Sequence, residues 1–117
     1  MDTTSPQYLE TQLANDIIDI ALQGGIGYWA KKEARYGVGI VLREFDEETG
    51  EITSQHIVSR AGIMNAMRDI LLGKVQVNKD IAMSIWQAYK DKDAFYLDAQ
   101  DTDVIIQVAC FGQIVYG

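Results

Sequence analysis

The spacing of apolar residues first predicts a helix. Four apolar residues recur at spacings of four, four and three: Leu9, Leu13, Ile17 and Ile20. This pattern places them on one side of a helix over residues 8–23. Gly24 and Gly25 follow, and glycine with a positive φ commonly ends a helix. Residues 1–7 are expected to form a flexible leader, and residues 8–117 a single domain.

The pattern then changes to short runs that favour β-strands, over residues 26–35, 38–45 and 51–58. In the middle run Val38, Ile40 and Leu42 occupy alternate positions, as in a strand with one buried face. The polar residues 46–50 form a turn between the second and third runs. The expected arrangement is an antiparallel meander of three strands.

Helical spacing returns in the second half of the chain. Ser59 is predicted to cap a helix that runs to about residue 72, and Asn78 a helix over residues 79–90. A fourth helix is expected after Asp101, with Gly112 at its end. The predicted fold class is therefore α+β, with the three-stranded meander packed against about four helices.

Composition and charge limit the kinds of protein to consider. The chain has 117 residues, of which 48% are hydrophobic and 23% charged, as in ordinary folded domains. A single cysteine allows no internal disulfide and fits a cytoplasmic protein, and no apolar stretch approaches the roughly 20 residues that span a bilayer. The net charge of −7 lies mostly in residues 1–58 and opposes nonspecific binding to nucleic acids or anionic membranes.

One candidate binding segment combines flat aromatic side chains with cations. Its members are Tyr28, Trp29, Lys31, Lys32 and Arg35. Such a set can stack on a base and neutralise a phosphate, which suggests a small nucleotide as ligand. The alternative is that one aromatic side chain packs in the core while the basic residues form a solvated strand edge. The preceding glycines do not form a phosphate loop, because they follow a helix and precede a strand.

A second candidate is an acidic run around the predicted turn. It consists of Glu44, Asp46, Glu47, Glu48 and Glu51. Such a run is typical of a solvated turn, but clustered carboxylates also complement the basic groove of a protein that binds nucleic acid. The run is therefore a candidate surface for a protein or nucleoprotein partner.

The remaining candidates give no catalytic or metal site. Asp98, Asp101 and Asp103 could bind Mg²⁺ or Ca²⁺ as in a metal-dependent hydrolase, but they match no calcium loop, and Asp101 as a cap with Asp103 in the first turn explains them more simply. His56 is the only histidine and is expected at a surface or strand edge. Cys110 lies in an apolar run, where thiolate formation is disfavoured. No catalytic residue, metal or cofactor is predicted.

Two segments resemble a group of small, uncharacterised bacteriophage and prophage proteins. The first, at residues 24–30, reads Gly-Gly-Ile-Gly-Tyr-Trp-Ala and is similar to the Gly-Gly-x-x-Tyr-Trp-Ala segment of that group. The second, at residues 101–117, begins Asp-Thr-Asp-Val and ends Phe-Gly-Gln-Ile-Val-Tyr-Gly, like the C-terminal segment of the same group. The resemblance implies a phage context and supplies no activity.

Two functional hypotheses follow. The first is a noncatalytic phage-type accessory protein in the host cytoplasm, which binds a host protein or nucleoprotein and acts as a counter-defence inhibitor. The second is a protein that binds or sequesters a small nucleotide signal through the aromatic and basic segment.

Overall fold

A computed structural model describes residues 5–117 of the chain. The elements in chain order are α1 (Pro6–Ile20), a π-helical turn (Ala21–Gly25), β1 (Ala30–Tyr36), β2 (Gly39–Phe45), β3 (Ile52–Ser59), α2 (Arg60–Leu71), α3 (Lys79–Asp91), a 3₁₀ turn (Ala94–Tyr96) and α4 (Ala99–Phe111). The predicted α+β class, with a three-stranded meander and four helices, is confirmed. Residues 1–4 of the predicted leader lie outside the described residues. The prediction was wrong for residues 5–7, because Ser5 caps α1 and Pro6 and Gln7 form its first turn.

The three strands form one antiparallel sheet in the order β1-β2-β3. Ile40 pairs with Val58 and Leu42 pairs with His56, so these residues share the face that packs against the helices. Ile40, Leu42 and Val58 are buried, in keeping with the predicted alternation at Ile40 and Leu42. Val38 was wrongly included, because it precedes β2 and is 54% exposed. The register of β1 shifts between Lys32 and Ala34, as at a β-bulge.

The helix caps follow the sequence in two places and differ in a third. The side chains of Ser59 and Asn78 accept backbone N–H bonds at the starts of α2 and α3, as predicted. The cap of α4 is Asp98, not Asp101, so the predicted cap was wrong. The backbone N–H of Asp101 donates to Asp98, and the carboxylate of Asp101 accepts from the N–H of Asp98. The two acids thus form a reciprocal capping box, which satisfies two donors rather than one.

The end of α1 also differs from the prediction. Gly24 and Gly25 continue the helix as a π-helical turn and have no positive φ. Gly25 is required for space, because a Cβ there would lie 2.8 Å from the carbonyl oxygen of Ala99 and 3.0 Å from Thr102 Oγ1. The turn therefore packs directly on the start of α4.

The first strand begins later than predicted, at Ala30. The backbone N–H groups of Trp29 and Ala30 both donate to the carbonyl of Ile26, at 3.0 Å each. Tyr28 and Trp29 consequently lie in a turn before β1, and their side chains do not alternate across the sheet.

Helix α4 lies at the centre of the molecule. All eight residues 101–108 are buried, whereas the other helices each expose one side. Four of these buried residues are polar, Asp101, Thr102, Asp103 and Gln107, so the burial of α4 is not limited to an apolar face. The other helices and the sheet surround it, and their buried residues join one continuous core.

Candidate functional site

Trp29 is held at the centre of an aromatic cluster. Its side chain is fully buried, and Nε1 donates a hydrogen bond of 2.8 Å to Asp103 Oδ1. The indole stacks on Tyr116 with ring centroids 5.4 Å apart and an interplanar angle of 9°. The Phe111 ring also packs against the indole, with ring centroids 5.4 Å apart and an interplanar angle of 51°. Trp29 is therefore a core residue with one polar partner.

Tyr28 joins the same carboxylate from the surface side. Its hydroxyl donates to Asp103 Oδ2 at 2.6 Å, and 37% of the residue is exposed. Burial, followed by the hydrogen bond to Asp103, raises the pKa of the Tyr28 phenol. Asp103 thus binds both aromatic residues of the candidate segment, one through each carboxylate oxygen.

Gln107 connects this carboxylate to the last residues of the chain. Its Nε2 donates to Asp103 Oδ1 at 2.9 Å and to the carbonyl oxygen of Tyr116 at 3.2 Å. Its Oε1 accepts the backbone N–H groups of Val115 and Tyr116, both at 2.8 Å. The amide pairs with the backbone much as a neighbouring strand would. We call Tyr28, Trp29, Asp103, Gln107 and Tyr116 the aromatic–carboxylate network.

Glu44 links the network to the sheet. The Tyr116 hydroxyl donates to Glu44 Oε2, and His56 Nε2 lies 2.9 Å from Glu44 Oε1. Burial raises the pKa of Glu44, but the hydrogen bonds from Tyr116 and His56 outweigh it and leave the pKa lowered. The His56 ring meets Phe111 edge to face, with centroids 5.0 Å apart. His56 lies on the edge strand β3, as expected, but its side chain is only 18% exposed.

The three aspartates considered for a metal have other partners. Asp98 and Asp101 cap α4, and Asp103 lies one turn later than predicted and binds Tyr28, Trp29 and Gln107. Burial raises the pKa of Asp101 to about 6. Within residues 5–117, no group of three His, Cys, Asp or Glu side chains is arranged to hold a metal ion.

The structure does not gather the aromatic and basic candidate residues into one site. Lys31 Nζ lies 5.4 Å from the centroid of the Phe45 ring, and Arg35 forms an ion pair of 2.6 Å with Asp19. Lys32 is exposed on β1. Trp29 cannot offer a ring face to a ligand, because Phe111, Tyr116 and Asp103 enclose the indole. Binding of a small nucleotide stays a prediction, but Trp29 is buried and cannot stack on its base.

The acidic candidate residues divide into two groups. Glu44 faces inward, whereas the other four are exposed on the β2–β3 turn: Asp46, Glu47, Glu48 and Glu51. Asp46 also shapes the turn, since its Oδ1 accepts the N–H groups of Glu48 and Thr49 at 2.8 and 3.1 Å. No ion pair within residues 5–117 neutralises these four carboxylates.

A groove of about 390 Å³ lies beside this turn. Its lining combines three carboxylates with two aromatic rings and a hydroxyl: Asp46, Glu47, Glu48, Phe45, Tyr116 and Thr53. We call it the acidic groove. Glu44 holds the Tyr116 wall of this groove in place from behind through the phenol hydroxyl.

Cys110 and His56 do not form a nucleophile and base. Burial, followed by the charge of Glu44, raises the pKa of the Cys110 thiol to about 12. The thiol is therefore almost fully protonated at neutral pH, and the ring nitrogen Nε2 of His56 is directed to Glu44.

Sequence reasoning missed two residues that organise the site, Asp103 as an acceptor for Trp29 and Gln107 as the anchor of residues 115 and 116. The available signal was the position of Gln107. It is a lone polar residue in the apolar run from Val104 to Phe111, four residues after Asp103 and on the same helical side. A buried polar side chain needs hydrogen-bond partners, and here they come from distant segments.

The fold and the site define an α+β protein in which a central helix binds a tryptophan-containing turn and the last residues of the chain. The two segments that resemble phage proteins are the ones that meet in the aromatic–carboxylate network. Comparison with protein-family models, curated proteins and solved structures gives no match. Among residues 5–117 no helix has the length and apolar character needed to cross a membrane.

Proposed function

We propose that this chain is a noncatalytic accessory protein of the phage type, which binds a basic surface of a host protein or nucleoprotein through the acidic groove. The observation that supports this most directly is the set of exposed, unpaired carboxylates at Asp46, Glu47 and Glu48 beside aromatic walls. The phage context and a counter-defence role rest on the resemblance alone.

The groove has the chemistry to hold a lysine or arginine side chain. Carboxylates on one side supply the opposite charge, and the rings of Phe45 and Tyr116 supply flat, apolar faces for the methylene groups and for cation–π contact. Lys31 of the chain already occupies such a position over the Phe45 ring. A partner with several basic residues would be drawn to this surface at long range.

The groove is also built on a fixed support. Tyr116 stacks on Trp29, its backbone is bound by Gln107 and its hydroxyl by Glu44. A wall that is ordered before binding loses little conformational entropy when a partner docks. The fixed position of Tyr116 therefore favours binding at the acidic groove.

The test is retention of host proteins by immobilised protein, with matched charge variants. The double variant Glu47→Lys/Glu48→Lys removes two carboxylates of the groove. Asp16→Lys/Asp80→Lys makes the same change in net charge at helical positions elsewhere, of which Asp80 is exposed and Asp16 half-buried. We expect partners retained by the wild type and by the control to bind the groove variant at least about tenfold more weakly, with binding that weakens as salt increases.

Proteins retained equally by the groove variant and the wild type would contradict the proposal. Retention lost equally in both double variants would show a general charge effect and would also contradict it. Circular dichroism spectra of all three proteins check that the fold is unchanged.

A further inference from the structure

A second open surface lies between the end of α2 and one side of α3. It is a groove of about 660 Å³ whose lining is mostly apolar. Three large apolar residues at this surface are well exposed: Leu72 (70%), Met83 (52%) and Trp86 (47%). We call this surface the helical groove. A contiguous apolar patch of this kind is uncommon on a surface that contacts only water.

The helical groove lies in a basic part of an acidic chain. Residues 60–92 contain six basic and three acidic residues, a net charge of +3. The rest of the chain contains four basic and fourteen acidic residues, a net charge of −10. The apolar surface and the positive charge therefore occur together on α2 and α3.

Cations lie at both ends of the helical groove. At one end Lys92 Nζ lies 3.9 Å from the centroid of the Tyr89 ring, and Arg68 Nε donates to the Tyr89 hydroxyl at 2.8 Å. Arg68 also forms an ion pair of 3.4 Å with Glu10, so its charge is partly neutralised within the chain. At the other end Lys79 is exposed in the first turn of α3. Ten residues of helix separate Lys79 from Tyr89, a distance of about 15 Å at 1.5 Å per residue. The groove is thus about as long as three turns of a helix.

We propose that the helical groove binds an amphipathic helix of a partner protein, with apolar residues facing Met83 and Trp86 and acidic residues near Lys79. Residues that dominate the free energy of protein interfaces are enriched in Trp, Tyr and Arg, and Met adapts to varied apolar surfaces. A helix lying in such a groove presents apolar residues at spacings of three and four.

The charge pattern favours this occupant over a second copy of the chain. A symmetric dimer through the helical groove would place Lys79 and Lys92 of each copy against the same basic region of the other. Like charges at an interface oppose association, whereas an acidic helix is attracted to the Lys79 end of the groove.

The test is selection of helical peptides displayed on a library against the full chain, with counter-selection against Met83→Glu. Met83 is half exposed, so this substitution changes the groove surface without opening the core. The expected result is enrichment of peptides with apolar residues at helical spacing and a net negative charge. Peptides without acidic residues, or no enrichment over the counter-selected variant, would overturn the proposal.

Enriched peptides are then labelled and titrated with purified variants by fluorescence anisotropy. We expect Trp86→Ala and Lys79→Glu each to weaken binding about tenfold or more. Glu47→Lys in the acidic groove should leave the peptide affinity unchanged, which separates this surface from the proposed function. Equal affinity for wild type and Lys79→Glu contradicts the role of charge. A dimer in light scattering that Trp86→Ala dissociates would show that the occupant is a second copy.

Discussion

At the residue scale, Asp103 joins three side chains of the aromatic–carboxylate network. Its two carboxylate oxygens accept hydrogen bonds from Tyr28, Trp29 and Gln107, which come from two separate parts of the chain. Every buried side-chain nitrogen and oxygen within residues 5–117 has a partner, so the loss of this acceptor would leave groups unsatisfied. An unsatisfied buried donor costs more than a hydrogen bond contributes.

Asp103→Asn should destabilise the protein by about 1–3 kcal/mol. The amide keeps one oxygen as an acceptor and replaces the other with an NH2 group, so a hydrogen bond to a charged carboxylate oxygen is lost while the size of the side chain is kept. The pKa of Tyr28 should also fall, because the neighbouring carboxylate that raises it is gone. Urea unfolding and the ultraviolet titration of tyrosinate measure the two effects.

The half-buried residue Asp16 provides the matched control for this substitution. Asp16→Asn alters only a surface hydrogen bond from Gln12 and should change stability by less than about 0.5 kcal/mol. Equal stability of the two variants would show that the Asp103 contacts contribute little.

At the element scale, the π-helical turn places residues before the sheet against α4. The turn contacts α4 through Gly25, where the backbones approach too closely for a side chain. Gly24, the adjacent residue, has open space around its Cα and no positive φ. The two glycines therefore have different roles, although they are neighbours in sequence.

Gly25→Ala should destabilise the protein by about 1–3 kcal/mol, because the new methyl group forces the carbonyl of Ala99 or the turn itself to move. Gly24→Ala should be neutral or stabilise by up to about 1 kcal/mol, since it restricts the unfolded chain without a clash. Thermal and urea unfolding of both variants measure the difference. A Gly24 variant as unstable as the Gly25 variant would contradict the distinction.

At the scale of the whole molecule, charge is divided between two surfaces. The acidic groove lies at the β2–β3 turn, and the basic helical groove lies on α2 and α3. Long-range fields of opposite sign attract different partners, so the two surfaces can act independently. The aromatic–carboxylate network supports the first surface and is itself sensitive to pH through its phenols.

The stability of the folded protein should decrease as the pH rises from about 10 to 12. The hydrogen bond to Glu44, followed by burial, raises the pKa of Tyr116 from 10.0 to about 12, and the pKa of Tyr28 is raised as well. The folded state therefore keeps protons that the unfolded state releases in this range, and the stabilisation present below pH 10 is lost. Urea unfolding at a series of pH values measures the decrease.

The pH dependence should be weaker in Tyr116→Phe, which has no phenol hydroxyl at this position. Tyr36→Phe, on the exposed strand β1, serves as the control and should retain the wild-type dependence. An unchanged slope in Tyr116→Phe would exclude this phenol as a source of the effect.

Much of the fold was predictable because its signals are local. The spacing of Leu13 and Ile17, the alternation of Ile40 and Leu42, and the caps Ser59 and Asn78 act over one or two turns or strand positions. The boundaries at Gly24–Gly25 and at Asp101 were wrong because they depend on contacts between the turn and α4. Local signals do not contain those contacts.

The sequence by itself determined the class of fold, the order of its elements and the acidity of the β2–β3 turn. Only the tertiary structure decided that Trp29 is enclosed, that Asp103 and Gln107 hold both ends of the site, and that basic charge surrounds an apolar groove. Trp29 and Asp103 are 74 residues apart in the chain. The periodicity of a sequence describes neighbours along a helix or strand, whereas such a contact exists only after the elements have packed.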